Sequence, residues 1–229
     1  QLAVTLPKEL KSIAFKIEHP GYGPYWAGWE GYNHPINLPQ EYTAQLDAGW
    51  SIGGIVVNEE GKPVEGVEIS PSVRFKKRPG DNEELYVGTN LKTDAEGKWR
   101  FDSVPASMSD VHLTFSHYSY QPLRESFPRS GHEIALGATP AHRFVMTRGL
   151  TITGCVTDEE ERPIADALVR TKFLNDVREA RTDKEGVYRI EGCEPRMTRV
   201  VASAAGRAME LQTVRIEPGM ESVDFVLRP

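Results

Sequence analysis

Apolar and polar residues alternate along several stretches of the chain. Ile13, Phe15 and Ile17 are spaced by small or polar neighbours, as are Val111, Leu113 and Phe115, and Val223, Phe225 and Leu227. A period of two is the signature of strands that bury one face. Short polar turns lie between such runs: NEEGKP at 58–63, DEEERP at 158–163, DAEG at 94–97 and DKEG at 183–186. In them Gly61, Gly97 and Gly186 can take positive φ and close hairpins. No segment of ten or more residues keeps a helical stripe, and FLNDVREAR at 173–181 comes nearest. The pattern predicts an all-β chain. YGPYWAGWEGYNHP at 22–35 shows neither period and reads as a ring-rich loop.

The chain repeats itself. GWSIGGIVVNEEGKPVEGVEI at 49–69 returns as GLTITGCVTDEEERPIADALV at 149–169, and TDAEGKWRFDSV at 93–104 returns as TDKEGVYRIEGC at 182–193. LAVTLPKELKSIAFKIEHPGY at 2–22 aligns without a gap to residues 100–120, pairing Phe15 with Leu113, His19 with His117 and Tyr22 with Tyr120. The expected organisation is the rear half of a unit at 1–48, a whole unit at 49–148 and another at 149–229, as in a piece of a longer repeat protein. In the first unit residues 23–41 read as an excursion leading to a last strand, YTAQL at 42–46. Its counterpart at 121–141 carries a single aromatic, Phe127. Units of this size with several short strands predict tandem Ig-like or prealbumin-like β-sandwich domains.

The pattern G-x-V-x-[DN]-x-x-G-x-P-[VI]-x-G-[AV], followed by T-D-x-x-G-x-[FYW]-x-[FI] and a strand running into a Gly-Tyr-like turn, resembles the carboxypeptidase regulatory-like domain family. Two copies span 49–229 and a half copy spans 2–48. Glu161 stands where the turn glycine is expected, and Asp166-Ala167 replaces Gly66-Val67. The resemblance implies a prealbumin-like or CNA-B-like sandwich. It also implies tandem extracytoplasmic accessory modules, secreted, periplasmic or at the cell surface, that sit beside other domains and have no activity of their own. Some CNA-B-like domains carry a Lys–Asn isopeptide staple between first and last strands. Here WSIGGIVV and LTITGCVT lack lysine, and HRFVMT and VDFVLR lack asparagine.

The residue inventory points the same way. There are 33 acidic against 27 basic residues, a net charge of −6, and no basic run longer than RFKKR at 74–78, which argues against nucleic acid as a partner. No stretch approaches the ~18 apolar residues of a membrane span, so direct insertion as a helix is not expected. His132-Glu133 is followed by Ile-Ala-Leu rather than a second histidine, and there is no G-x-S-x-G and no Gly-rich phosphate loop. The chain is therefore read as no enzyme, with no cofactor. His19 and His117 are expected as half-buried rings at a sandwich rim. His34, His132 and His142 have no partner at ligand spacing, and the acidic turn 158–161 reads as a solvated hairpin, so no metal site is expected. Cys155 and Cys193 fall on opposite strand parities and are expected as free thiols.

The rings at 22–34 are the candidate ligand-binding set. Tyr25, Trp26, Trp29 and Tyr32 could stack on pyranose rings while Glu30, Asn33 and His34 bond hydroxyls. Alternatively they cover the half unit, with Trp26 or Trp29 packing over the face that carries Phe15. The leading reading is a non-catalytic spacer or protein-interaction array whose partners are neighbouring domains of a longer chain. A carbohydrate-binding module for polysaccharide is the alternative, and assembly with another protein through the incomplete first sandwich is a further one.

Overall fold

The computed structural model describes residues 4–7, 9–31, 36–75, 91–106, 108–128, 134–135, 141–171 and 177–229. Their regular elements are all strands. The segment 49–148 contributes β3 (Gly49–Asn58), β4 (Glu68–Phe75), β5 (Leu91–Lys92), β6 (Lys98–Pro105), β7 (Met108–His117), β8 (Tyr120–Pro128) and β9 (Arg143–Met146). The segment 149–229 contributes β10 (Leu150–Thr157), β11 (Leu168–Thr171), β12 (Glu179–Arg181), β13 (Val187–Cys193), β14 (Met197–Ser203), β15 (Glu210–Arg215) and β16 (Phe225–Val226). Sheets β6-β3-β9 and β5-β4-β7-β8 enclose one core, and sheets β13-β10-β16 and β12-β11-β14-β15 enclose another, so the two sandwiches have the same strand order. In each, the first strand pairs parallel with the last and breaks register at the same place, Trp50/Ile52 in one and Leu150/Ile152 in the other.

The repeated T-D-x-x-G motif has a shared mechanical role. The Thr93 hydroxyl donates to Val64 O at 2.7 Å and accepts from Val67 N at 2.9 Å; the Thr182 hydroxyl donates to Ile164 O at 2.6 Å and accepts from Ala167 N at 2.8 Å. One buried side chain thus satisfies two backbone groups that no ladder reaches. The next residue caps the turn: Asp94 Oδ1 accepts from Glu96 N and Lys98 N at 3.1 and 2.7 Å, and Asp183 Oδ1 from Glu185 N and Val187 N at 3.0 and 2.8 Å. Gly97 and Gly186 follow at φ 71° and 74°, and a Cβ there would lie 2.4 and 2.7 Å from the Val56 and Val156 carbonyl oxygens. Only glycine fits both the dihedral and the space.

Strand parity delivers the cores. Val111, Leu113 and Phe115 are buried, and Phe115 packs with Phe144 at 4.5 Å between ring centroids while Trp99 packs edge-on to Phe115 at 6.0 Å. In the last sandwich Tyr188 and Phe225 take the corresponding places, 6.3 Å apart, and the Tyr188 hydroxyl donates to Val223 O at 2.6 Å. Cys193 is buried and Cys155 is half-buried, both as free thiols.

The amino-terminal segment departs from the sequence reading. Residues 22–35 are not simply a loop: Tyr25–Glu30 forms β2, antiparallel to β1 (Ser12–Ile17), with Ile13 opposite Trp29, Phe15 opposite Ala27 and Ile17 opposite Tyr25. Rings at 25, 26 and 29, with Ala27 and Gly28 between them, hide the period of two from a hydrophobicity pattern. Residues 121–128, expected as the start of an excursion, likewise belong to β8. Residues 42–46 form no strand; just beyond them Ala48 makes an isolated bridge to Tyr22. In the complete units this last strand lies beside the first strand of its own unit. Among the described residues no strand is paired with 42–46. His19 is exposed rather than half-buried. The segments 76–90 and 172–176, which hold most of RFKKRPGDNEE and the start of FLNDVREAR, lie outside the described residues.

Candidate functional site

Three constellations carry side chains that the fold does not need for its cores. The first is the ring cluster of β1 and β2. Trp29 meets Phe15 edge-on at 6.1 Å and Tyr42 at 4.9 Å with planes 89° apart, while Tyr25 and Tyr42 share a hydroxyl–hydroxyl hydrogen bond. Ile13, Phe15, Ile17, Tyr25 and Trp29 are half-buried on one face, and Ala27 is buried among them. Of the candidate residues, Tyr25 and Trp29 are therefore brought together, joined by Tyr42, which the sequence reading missed. Trp26 lies in β2 opposite Lys16, and positions 26 and 29, three apart in one strand, have opposite parity. Glu30 ends β2, exposed. Tyr32, Asn33 and His34 fall outside the described residues. Perpendicular rings at these distances are packing geometry, worth roughly 0.5–1.5 kcal/mol per pair beyond burial.

The second constellation is the passage from one unit to the next, which is built the same way twice. Gly49 N donates to Gly21 O at 2.8 Å and Gly149 N to Ser119 O at 3.0 Å; Gly23 N donates to Asp47 O and Gln121 N to Thr147 O, both at 2.9 Å. His19 stands edge-on to Tyr22 at 5.3 Å, and His117 edge-on to Tyr120 at 5.2 Å. The second passage adds Arg178, just before β12. Its guanidinium donates to His117 O at 3.0 Å, Tyr118 O at 2.8 Å and Tyr120 O at 2.7 Å in the preceding sandwich, and to Glu191 O at 3.3 Å in its own. A rigid fork of donors suits a ring of carbonyls in a way a lysine ammonium does not. The backbone is close-fitted there: a Cβ on Gly149 would lie 2.1 Å from Gly192 Cα, and one on Gly192 would lie 2.4 Å from Tyr118 O. Burial, with Arg178 and Arg148 nearby, lowers the pKa of His117 from its ordinary value and keeps the ring neutral at pH 7.

The third was not anticipated. On β7 and β8, His112 Nδ1 lies 2.6 Å from Ser126 Oγ, and His112 Nε2 lies 2.7 Å from Asp110 Oδ1. Acid, imidazole and hydroxyl are the residue types of a hydrolytic triad, but the row lies across the outward face of an open sheet. Catalysis of that kind requires donors aimed at a developing oxyanion within a water-excluding cleft. Among the described residues the His112–Ser126 contact links β7 to β8 across the outward face, a cross-strand pin. Its three members alternate with core positions on two strands, a signal visible only once His112 and Ser126 are known to be opposite. Among the described residues no group of three or more His, Cys, Asp or Glu could hold a metal ion, and no helix is long and apolar enough to cross a membrane.

Among solved structures the chain is similar to a streptococcal ancillary pilin, with 14% identity over 93% of this chain and 74% of that one and a TM-score of 0.41. It is also similar to the Bacillus anthracis TIE protein, with 12% identity over 96% of this chain and 44% of that one and a TM-score of 0.31. A third similarity is to the minor pilin GBS52 of Streptococcus agalactiae, with 12% identity over 77% of this chain and 92% of that one and a TM-score of 0.33. No curated protein matches the chain. Residues 151–228 match the family model described as carboxypeptidase regulatory-like domain. The repeat formed by β10 to β16, with its buried Thr182, its Asp183 cap and its tight turn at Gly186, is the part of the chain that matches the carboxypeptidase regulatory-like domain family.

Proposed function

We propose that the chain is a non-catalytic array of β-sandwich repeats, at 1–48, 49–148 and 149–229, that holds neighbouring domains of a longer protein at fixed separation outside the cytoplasm. The observation that carries this reading is the second passage between units. Arg178 reaches from one sandwich to three carbonyls of one turn in the other, those of His117, Tyr118 and Tyr120, and Gly149 leaves no slack in the chain between them. A linker meant to swing would be longer and free of such bonds. The extracytoplasmic setting follows from the family resemblance.

The test is the rigidity of the joint. Small-angle scattering and backbone relaxation of the wild type should report the sandwiches of 49–148 and 149–229 tumbling as one body. Arg178→Ala should separate their correlation times and broaden the scattering envelope while leaving each sandwich folded, and Arg178→Lys should behave like Arg178→Ala. Independent tumbling in the wild type would overturn the spacer reading. The ring cluster does not favour a glycan platform in its described part, because Trp29 presents its edge contacts to Tyr42 and Phe15.

A further inference from the structure

The two complete sandwiches share a scaffold but differ in what their four-stranded sheets turn outward. In the middle unit a row across β4, β7 and β8 reads Ser70, Thr114, Arg124, and the next reads Ser72, His112, Ser126. The matching rows of the last unit read Arg170, Val201, Leu211 across β11, β14 and β15, and Arg199, Thr213 across β14 and β15. Toward one end of these strands Glu68 and Ser116 face each other in the middle unit, where Leu168 and Ser203 face each other in the last. These positions point away from the core, since Val169, Thr198, Val200 and Ala202 at the alternate positions are buried. The scaffold is satisfied by a polar face, so the apolar and cationic one is not demanded by folding.

The result is an exposed apolar strip. Leu211, 47% exposed, stands opposite Val201, which its neighbours already cover, and Met209, 72% exposed, lies just before β15; Met197, 57% exposed, is at the far end of β14 beyond Arg199. Arg170, Arg199 and Arg215 lie on the same outward parity, on a chain whose net charge is −6. The flanking acids are few: Glu179 stands opposite Arg170, and Glu217 pairs with Arg215 at 3.1 Å.

We propose that the outward face of β11, β14 and β15 is a docking surface for an acidic protein partner, one that sets carboxylates around a strip of aliphatic side chains. Charge decides among the occupants. A second copy docking through the same face would bring the arginines of one copy over the equally cationic face of the other, and like charges across an interface oppose such pairing. An anionic polysaccharide would meet the arginines and leave Leu211, Met197 and Met209 wet. A bilayer would have to take Arg199, which stands between Met197 and Val201 on β14, toward its apolar interior together with the strip, and burying that charge is costly. An acidic surface with aliphatic residues between its carboxylates satisfies both the guanidinium groups and the strip.

The probe is a synthetic peptide alternating glutamate and valine, titrated into the full chain and followed by backbone amide shifts. Shifts should localise to residues 168–170, 197–201 and 209–215, weaken with added salt, and be absent with a lysine–valine peptide. Arg199→Ser and the pair Val201→Thr with Leu211→Ser should each weaken binding about fivefold or more, the scale of one exposed ion pair or a few buried methyl groups. Serine and threonine are already carried by the sister sheet on this face, so both variants should fold, as their amide spectra will report. Binding that survives both variants, equal binding of the lysine–valine peptide, or loss of amide signal on phosphatidylglycerol vesicles but not with the acidic peptide would each overturn the proposal. Salt-sensitive self-association abolished by Arg199→Ser would overturn it in favour of a second copy.

Discussion

Glu161 holds φ at 60°, where Gly61 sits at 78° in the preceding repeat, and both close a turn whose first residue caps it through a side-chain oxygen. The left-handed region costs a residue with a Cβ roughly 1–2 kcal/mol, against roughly 0.5–1 kcal/mol of extra chain entropy lost by glycine. Glu161→Gly should therefore stabilise the last sandwich by about 0.5 kcal/mol, read as a higher denaturation midpoint at unchanged slope. The turn survives the glutamate because Asp158 anchors it: Oδ1 accepts from Glu160 N and Arg162 N, and Oδ2 meets the Arg162 guanidinium at 2.9 Å. Burial works to raise the Asp158 pKa, but these donors win and hold it below the usual value. That glutamate at 161 replaced a glycine was plain in the sequence. That Thr93 and Thr182 each bind two backbone groups was not, because a Thr beside an Asp announces a turn and says nothing of what lies beneath it.

At the scale of elements, β1 and β2 form a two-stranded ribbon that depends on its rings. A lone hairpin is marginal in water, so the half-buried face of Ile13, Phe15 and Ile17 must draw support from Trp29 and Tyr42. Trp29→Ala should remove about 2 kcal/mol of local stability. Amides of Ser12–Ile17 should then exchange faster while those of β3 and β9 keep their protection. Unchanged exchange with loss of glycan retention would instead return the rings to a binding role. β1 was legible because its apolar residues alternate with small or polar ones. β2 was not, because aromatic residues occur at both parities and Ala27 and Gly28 interrupt them. That the two sandwiches share one strand order was legible in the gapless match of 93–104 to 182–193, whereas the order itself and the cross-sheet rows that distinguish their outer faces required the register. Arg178 was invisible for the same reason: its partners are backbone carbonyls of another unit, which no residue type marks.

For the whole molecule, the joint between sandwiches should respond to acid. His117 is neutral in the folded chain, accepts from Ser119 N at 3.1 Å through Nδ1, and has its pKa lowered by burial first, then by Arg178 and Arg148. A lowered histidine pKa means the unfolded chain binds the proton more readily. The contribution is thus fully present above the unfolded value of about 6.5 and is lost as pH falls below it. Denaturation of the wild type should show stability falling from pH 7.5 to 5. His117→Asn, which offers an acceptor oxygen near the place of Nδ1 and cannot be protonated, should flatten that part of the profile. An identical slope in the variant would assign the loss to other groups.

The parallel pairing of first and last strands decides how each sandwich bears load. The chain enters a unit at the start of β3 or β10 and leaves it at the end of β9 or β16, and these strands are neighbours running in the same direction. A pull along the chain therefore tries to slide the two strands past each other, so their cross-strand bonds are strained together and not opened one after another from an end. The patches are alike in extent: β3 and β9 are in register from Ile55–Arg143 to Asn58–Met146, with Ile55 N donating to His142 O at one end, and β10 and β16 pair at Val156–Phe225 and Thr157–Val226, with Val223 N donating to Thr153 O and Leu227 N to Thr157 O on either side. Under tension the two sandwiches are thus matched springs in series, each closed by a shear patch of similar length between its entry and exit strands.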